Sequence, residues 1–471
     1  MPLPSHRLER RAAQPPHAAR TQPRALAIAL SLIFGLGVTT QARAEDLQQI
    51  YQAALAYDAT YLGARAQASS AQYRLAQVGA LRLPTANLSV STARNGTELP
   101  DNVAKVAGDS RTYGTANQVA LTARQPLYNR ANSKTISQAE KAYEVATADL
   151  DTAEQDLILR VAQAYFDVLA AQDNLETTRA NKAAIVETLA SAKRNFEVGT
   201  ATITDTREAQ ARFDLTTAQE IASANDLQIK RAALDTLVGR AGVVPSPLAV
   251  PMTIPPLARN TADDWLASAD VDSPTVRKAR LAYDIAQLET EKARAGHLPT
   301  LDLVGSVAAN RNTGIVGAGT GSASIPGLFK NGSIGLQLNV PVFSGFSVQN
   351  RVKETLDLEE KARDDLDVAR RGVALGTRTA FLGVQSGQAQ VKALETAVSS
   401  SQLAVESTRL GFKVGVRVNL DVLNAETQLY TTRAQLAKAR YDVLVGSLRL
   451  RQAAGRVTAE DVAEVNRLLL R

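Results

Sequence analysis

The chain has 471 residues, 45% hydrophobic and 21% charged, so it holds enough apolar material for a large core and is too apolar to be disordered. It contains no cysteine, which excludes a disulfide framework, a thiolate nucleophile, a cysteine-based metal site and a lipid-modified cysteine at a new N-terminus. A formal charge of +6 invites a nucleic-acid reading, but the first 44 residues carry six arginines against Glu9, so +5 resides there and only +1 is left for the rest.

That first stretch, 1–44, reads as a secretory signal peptide. Arg7, Arg10, Arg11, Arg20 and Arg24 precede an apolar run from Ala25 to Val38, and Ala42-Arg43-Ala44 supplies small residues at the cleavage positions. The run is shorter than the about 20 residues that a membrane-spanning helix needs. Maturation is expected at Glu45. His6 and His17 leave with the leader, so His297 stands alone, cannot form a two-histidine zinc site, and reads as structural.

The remainder is written twice, with a period of about 215 residues. Leu83-Pro84-Thr85 recurs as Leu298-Pro299-Thr300, Pro126-Leu127-Tyr128 as Pro341-Val342-Phe343, and Ala164-Tyr165 as Ala380-Phe381. Phe196-Glu197-Val198-Gly199 recurs as Phe412-Lys413-Val414-Gly415, each followed six residues after the glycine by an aspartate, Asp205 or Asp421. Gly239-Arg240 returns as Gly455-Arg456. The order and near-constant offset place a first structural repeat at 45–243, a proline-rich linker at 244–256, a second repeat at 257–456 and a short C-terminal segment at 457–471.

In the first repeat Ala86, Leu88 and Val90 alternate with Asn87, Ser89 and Ser91, and Val119, Leu121 and Ala123 alternate with Ala120, Thr122 and Arg124. Period two with one apolar face predicts two strands. An ordinary β-sandwich edge shows the same alternation, but the long polar stretch joining the pair, Arg94 to Thr115, fits an outer-membrane barrel better. From Leu127 through Val198 there is neither proline nor glycine, and Tyr143, Ala146, Leu150, Ala153, Leu157, Val161, Ala164, Val168, Ala171 and Leu175 recur at spacings of three and four. This predicts a very long coiled-coil-like helix, and Glu154, Asp156 and Arg160 in its middle exclude a membrane span. Gly199 ends it as a left-handed C-cap would, and Asp205 is expected to cap the returning helix, with Glu208 as capping-box partner.

The linker, with Pro245, Pro247, Pro251, Pro255 and Pro256, suits neither helix nor central strand. The second repeat follows the same order. Leu301, Leu303, Gly305 and Val307 give one strand, and Ile334, Leu336, Leu338 and Val340 alternate with Gly335, Gln337 and Asn339 in another, with Asn310 to Asn331 between them. Phe346 to Phe412 predicts the second long helix, made more bendable by Gly372, Gly376, Gly383 and Gly387. Gly415 ends it, and Asp421 is expected to cap its return. Four strands cannot close a barrel, so oligomerisation is expected. No phosphate-cradling loop, HExxH helix or nucleophile elbow occurs, so an enzyme is not expected.

At Gly296-His297-Leu298-Pro299-Thr300-Leu301-Asp302-Leu303, at Phe196 to Gly199 through Ile203-Thr204-Asp205, and at Phe412 through Asp421-Val422-Leu423, the chain resembles the TolC family of outer-membrane efflux and type I secretion proteins. The resemblance implies a mainly α protein with membrane β: a homotrimer whose long antiparallel coiled-coil hairpins form an α-barrel tunnel joined to a twelve-stranded β-barrel. It implies no cofactor, and as partners a periplasmic adaptor, an inner-membrane ABC or proton-driven transporter, and outer-membrane lipid, but no nucleic acid. The tips Val198, Gly199 and Thr200, and Val414, Gly415 and Val416, would dock the adaptor. Asp421 would line a pore constriction whose second acidic position is here Asn424, a departure from the family pattern that weakens the expected cation preference. Thr204, Asp205, Phe412 and Arg417 match positions that link neighbouring helices in a closed gate, with Phe412 lacking the hydroxyl of the usual tyrosine. The rival reading is a periplasmic coiled-coil adaptor or scaffold without a pore of its own, which would not explain the strands.

Overall fold

Among the described residues of the computed structural model, 44–98, 111–249, 261–313 and 327–470, four antiparallel strands lie in the order β1-β2-β3-β4. They are β1 (Thr85–Glu98), β2 (Arg111–Tyr128), β3 (Thr300–Thr313) and β4 (Gly327–Asn339). The expected leader up to Arg43, the middle of each long polar stretch, and Pro251, Pro255 and Pro256 lie outside the described residues.

The register stacks like upon like. Leu88 faces Leu121 and Leu121 faces Val307, while on the opposite face Asn87 meets Thr122, Thr122 meets Ser306, and Ser306 meets Ser333. Among the described residues no helix covers the apolar face: Leu88 is 69% exposed and Ile334 81%. The outer edges of β1 and β4 have no partner among the described residues. The strands run further than their alternation indicated, since Arg94 pairs with Thr115 and Asn312 with Gly327. Threonine, asparagine and glycine there join the ladder through backbone groups, which leaves no period-two hydrophobic signal.

Each half contributes one long helix and shorter ones beside it. In the first, α1 (Leu47–Tyr57) and α2 (Ala59–Gly79) precede the strands, and α3 (Arg130–Glu197) and α4 (Ile203–Val238) follow. In the second, α5 (Ala262–Asp272) and α6 (Pro274–Arg294) precede, and α7 (Ser347–Lys413) and α8 (Asn419–Ala453) follow, with α9 (Ala459–Asn466) at the end. At 68 residues and 1.5 Å each, α3 is about 100 Å long. The 36 residues of α4 reach back only about half that distance, and α2 lies against α3 as well. α6 and α8 pack on α7 in the same way, and both also touch α3, which joins the two halves into one wall.

The four glycines of α7 do not break it. Gly387 allows α8 to approach closely, since a Cβ there would lie 2.8 Å from Val443 Cγ2. Its role is packing across the coil, which a bend signal in one helix cannot distinguish.

The largest core forms where α4 ends. Phe166 stacks on Tyr441 and meets Tyr165 edge to face there, among Leu47, Ile50, Leu234 and Leu448. The beginning of the proline-rich linker is pinned to this core, with Tyr165 OH donating to Ser246 O at 2.7 Å, Glu45 bridging to Pro245, and Leu248 to Leu469. The C-terminal segment contributes Val462 and Val465 to the same cluster. Trp265 is buried in a second cluster with Phe381 and Leu450. His297 is exposed, in a single turn of 3₁₀ helix before β3.

Candidate gate at the hairpin tips

Both long helices end alike. Gly199 and Gly415 each have φ +82°, and a Cβ on either would meet nothing within 4 Å, so glycine serves here for its left-handed backbone and not for space. Thr200 N donates to Asn195 O at 2.8 Å and Val416 N to Gly411 O at 2.9 Å, closing the last carbonyls of α3 and α7. The tips present apolar side chains to solvent: Val198 is 72% exposed and Val416 74%, and Val414 is exposed as well.

The returning helices start differently from expectation. Thr202, not Asp205, is the N-cap of α4, accepting from Asp205 N at 3.2 Å. Asp205 sits three residues in and accepts from Thr202 N at 2.9 Å and from Thr202 Oγ1 at 2.7 Å. The box is thus Thr202 with Asp205, and Glu208 is not part of it. Asp421 holds the equivalent third position of α8 behind Val418, which has no side-chain acceptor, so only Val418 N to Asp421 Oδ2 at 3.4 Å remains of the box. Its other neighbour is Arg417 Nη1 at 3.7 Å. Asp421 is therefore much less committed to capping than Asp205.

Among the described residues, Arg417 pairs with Asp421 and not with Thr204 or Asp205, and Thr204 makes no side-chain hydrogen bond. Phe412 is half-buried at the end of α7. Among the described residues, no hydrogen bond or ion pair joins Thr204 or Asp205 to Phe412 or Arg417 within one chain.

The two hairpins are joined by other residues. Leu423, fully buried, packs on Ile185, Leu189 and Ala192 of α3 and on Ala209 and Phe213 of α4. Beside it Arg212 Nη2 donates to Asn424 Oδ1 at 2.8 Å. One turn further along α8, the nearly inaccessible Glu426 accepts from Arg409 Nε at 3.0 Å and Nη2 at 2.6 Å, and that hydrogen bonding holds the Arg409 guanidinium above its ordinary pKa. The available signal was positional: Arg212 lies one heptad beyond Asp205, and Leu423 and Asn424 within a turn of Asp421. Above these contacts α3, α4 and α8 enclose a groove of about 770 Å³ bordered by Asn174, Asn181, Ser223, Thr427 and Tyr430. At its upper end Tyr441 OH donates to Asp173 Oδ2 at 2.6 Å, and burial pushes the Asp173 carboxyl up despite that bond.

The profile of the outer membrane efflux protein family matches residues 50–240 and 265–456, both halves of the repeat. The chain belongs to the outer membrane efflux protein family. The outer membrane protein TolC of Vibrio cholerae is 32% identical over 426 residues, 90% of this chain and 93% of that one. The alkaline protease secretion protein AprF of Pseudomonas aeruginosa is 34% identical over 311 residues, 65% of this chain and 63% of that one. In fold, the CmeC outer membrane channel of Campylobacter jejuni superposes with a TM-score of 0.73 at 16% identity, covering 90% of each chain. As a TolC-family member this efflux protein resides in the outer membrane and serves as an exit duct for efflux or type I secretion. The family is one of channels and transport proteins, not an enzyme class. A strand pattern that the scaffold reading did not explain thereby finds its place.

Proposed function

We propose that three copies of this chain assemble into one conduit, a twelve-stranded β-barrel continued by a tunnel of about twelve helices, which passes substrate without transforming it. The observation that carries this reading is a four-stranded sheet whose apolar face is uncovered and whose two edges are unpaired among the described residues. In a bilayer every backbone group must be bonded, which four strands achieve only by joining others edge to edge. Crosslinking of membrane-embedded protein should give trimers and nothing larger; a fully formed monomeric barrel would overturn the assembly. The mature chain begins at Glu45, whose amide donates to Val244 O at 2.8 Å, and N-terminal sequencing of the exported protein tests this.

The exposed valines at 198, 414 and 416 mark the periplasmic end, where an adaptor docks and couples the duct to an inner-membrane transporter. Cysteines at Thr200 and Val416 should crosslink to the adaptor in cells, and reaction only near Trp265 would move the docking surface to the equator. Asp421 and Asn424 line the narrowest level just inside these tips, and three Asp421 carboxylates attract cations there. Asp421→Ala should reduce cation selectivity in planar bilayers. If it destabilised the assembly without changing selectivity, Asp421 would be a helix-start residue only.

A further inference from the structure

We propose that Arg212 is a second charged residue of the constriction, held there by Asn424, so that each chain brings a guanidinium as well as a carboxylate to the narrowest level. This rests on the reading of Asp421 as pore-lining.

Arg212 has an ordinary partner within reach along its own helix. Glu208 lies four residues before it, the spacing and order that favour a helical ion pair. Among the described residues that pair is not made, and Arg212 forms no salt bridge at all. It reaches across to the other hairpin and donates to the amide oxygen of Asn424 at 2.8 Å. The crossing is fixed from beneath, because Leu423 is fully buried against Ile185, Leu189, Ala192 and Ala209 and sets where α8 meets α4. A solvated arginine on a free helix face would have no such anchor.

The charge consequences follow from the partner. Asn424 is neutral, and a guanidinium keeps its proton at any physiological pH, so the bond positions the positive charge without cancelling it. Asp421 and Asn424 are three residues apart on α8 and share one face, about 5–6 Å between Cβ atoms. The Arg212 charge therefore lies within roughly one Debye length of Asp421 and acts on the same ions. Arg417, 3.7 Å from Asp421, adds to the offset. A ring of carboxylates opposed by arginines at the same level favours cations less than the carboxylates alone would. The same geometry decides how Asn424→Asp would act. The new carboxylate would form an ion pair with Arg212 and cancel its positive charge, so the constriction would change by one charge per chain, as in Arg212→Gln.

Reversal potentials across planar bilayers under a KCl gradient test this, using full-length protein recovered from the outer membrane. Arg212→Gln should raise the potassium-to-chloride permeability ratio about two- to threefold, the effect of one charge several ångströms away across water. Arg212→Lys, which keeps the charge, should leave the ratio unchanged, and Asn424→Asp, which cancels it, should raise the ratio about as much as Arg212→Gln. If Arg212→Gln left the ratio unchanged while Asp421→Ala lowered it, the proposal would fall and the constriction would stand. If neither substitution moved the ratio, the constriction itself would be misplaced, and the proposal with it. A higher conductance at unchanged ratio would make Arg212 a mechanical link only and would also overturn the proposal. Should Arg212→Gln not reach the membrane, Arg212→Met takes its place: a ratio unchanged from wild type would refute the proposal.

Discussion

Truncating Leu423 to alanine removes a fully buried side chain from the apolar cluster that, near the tips, holds α8 against both helices of the first hairpin. Burial of this kind makes a leucine-to-alanine change cost about 3 kcal/mol, the loss of transfer energy plus the cavity left behind. The cost applies only while the hairpins are together. Once they separate, position 423 faces water and the truncation is nearly neutral. About 3 kcal/mol then shifts the balance toward separated tips by roughly a hundredfold. In planar bilayers this should appear as a matching rise in the frequency of high-conductance openings. Leu234→Ala is the control, since Leu234 is equally buried but belongs to the core at the far end of α4. It should lower thermal stability without changing openings. If Leu423→Ala behaved like the control, the cluster would be structural and the tips would be closed by something else.

Gly455→Ala should destabilise by 3 kcal/mol or more, because φ is +73° and a Cβ would lie 2.5 Å from Asp272 O, a backbone atom that cannot step aside. Gly199→Ala, with φ +82° and nothing near, should cost only about 1 kcal/mol, and comparable thermal denaturation of the two would refute the distinction. Burial would raise the Glu289 carboxyl, but hydrogen bonds from Lys292, Gln138 and Arg351 outweigh it and hold the pKa at about 2. A depressed pKa stabilises the fold above the ordinary value of 4.5, and this stabilisation fades as pH falls from there toward 2. After allowance for solvent screening it amounts to about 1–2 kcal/mol, so the difference in denaturation temperature between wild type and Glu289→Gln should shrink steadily below pH 5. Tyr441→Phe leaves the Asp173 carboxyl without its donor and should cost about 1–3 kcal/mol, least at low pH where that carboxyl is protonated.

Much of this protein was legible because its regularities are local. Leu88 and Val90 alternate with Asn87 and Ser89, α3 contains no helix breaker over its length, and Gly199 and Gly415 mark the ends of long helices. Each is a property of neighbouring residues, and duplication stated each one twice. Boundaries were less legible where the local signal was weak. The polar ends of β1 to β4 lack alternation, and at the first tip Thr202 with Asp205 and Asp205 with Glu208 have the same capping-box spacing, so spacing alone does not choose between them.

Contacts between the coils were decided only in three dimensions. Arg212 and Asn424 are 212 positions apart, and nothing in either segment says which face of α8 meets α4. That phase depends on how α3, α4 and α8 pack together, on the close approach at Gly387, and on Leu423 finding its cluster. The linker and the C-terminal segment likewise appeared as a boundary and a remnant until Ser246, Leu248 and Val462 were seen in one core with Tyr165. Periodicity along a chain fixes which side of a helix is apolar; which partner covers that side is a property of the packed whole, and at the tips it places the charges that passing ions meet.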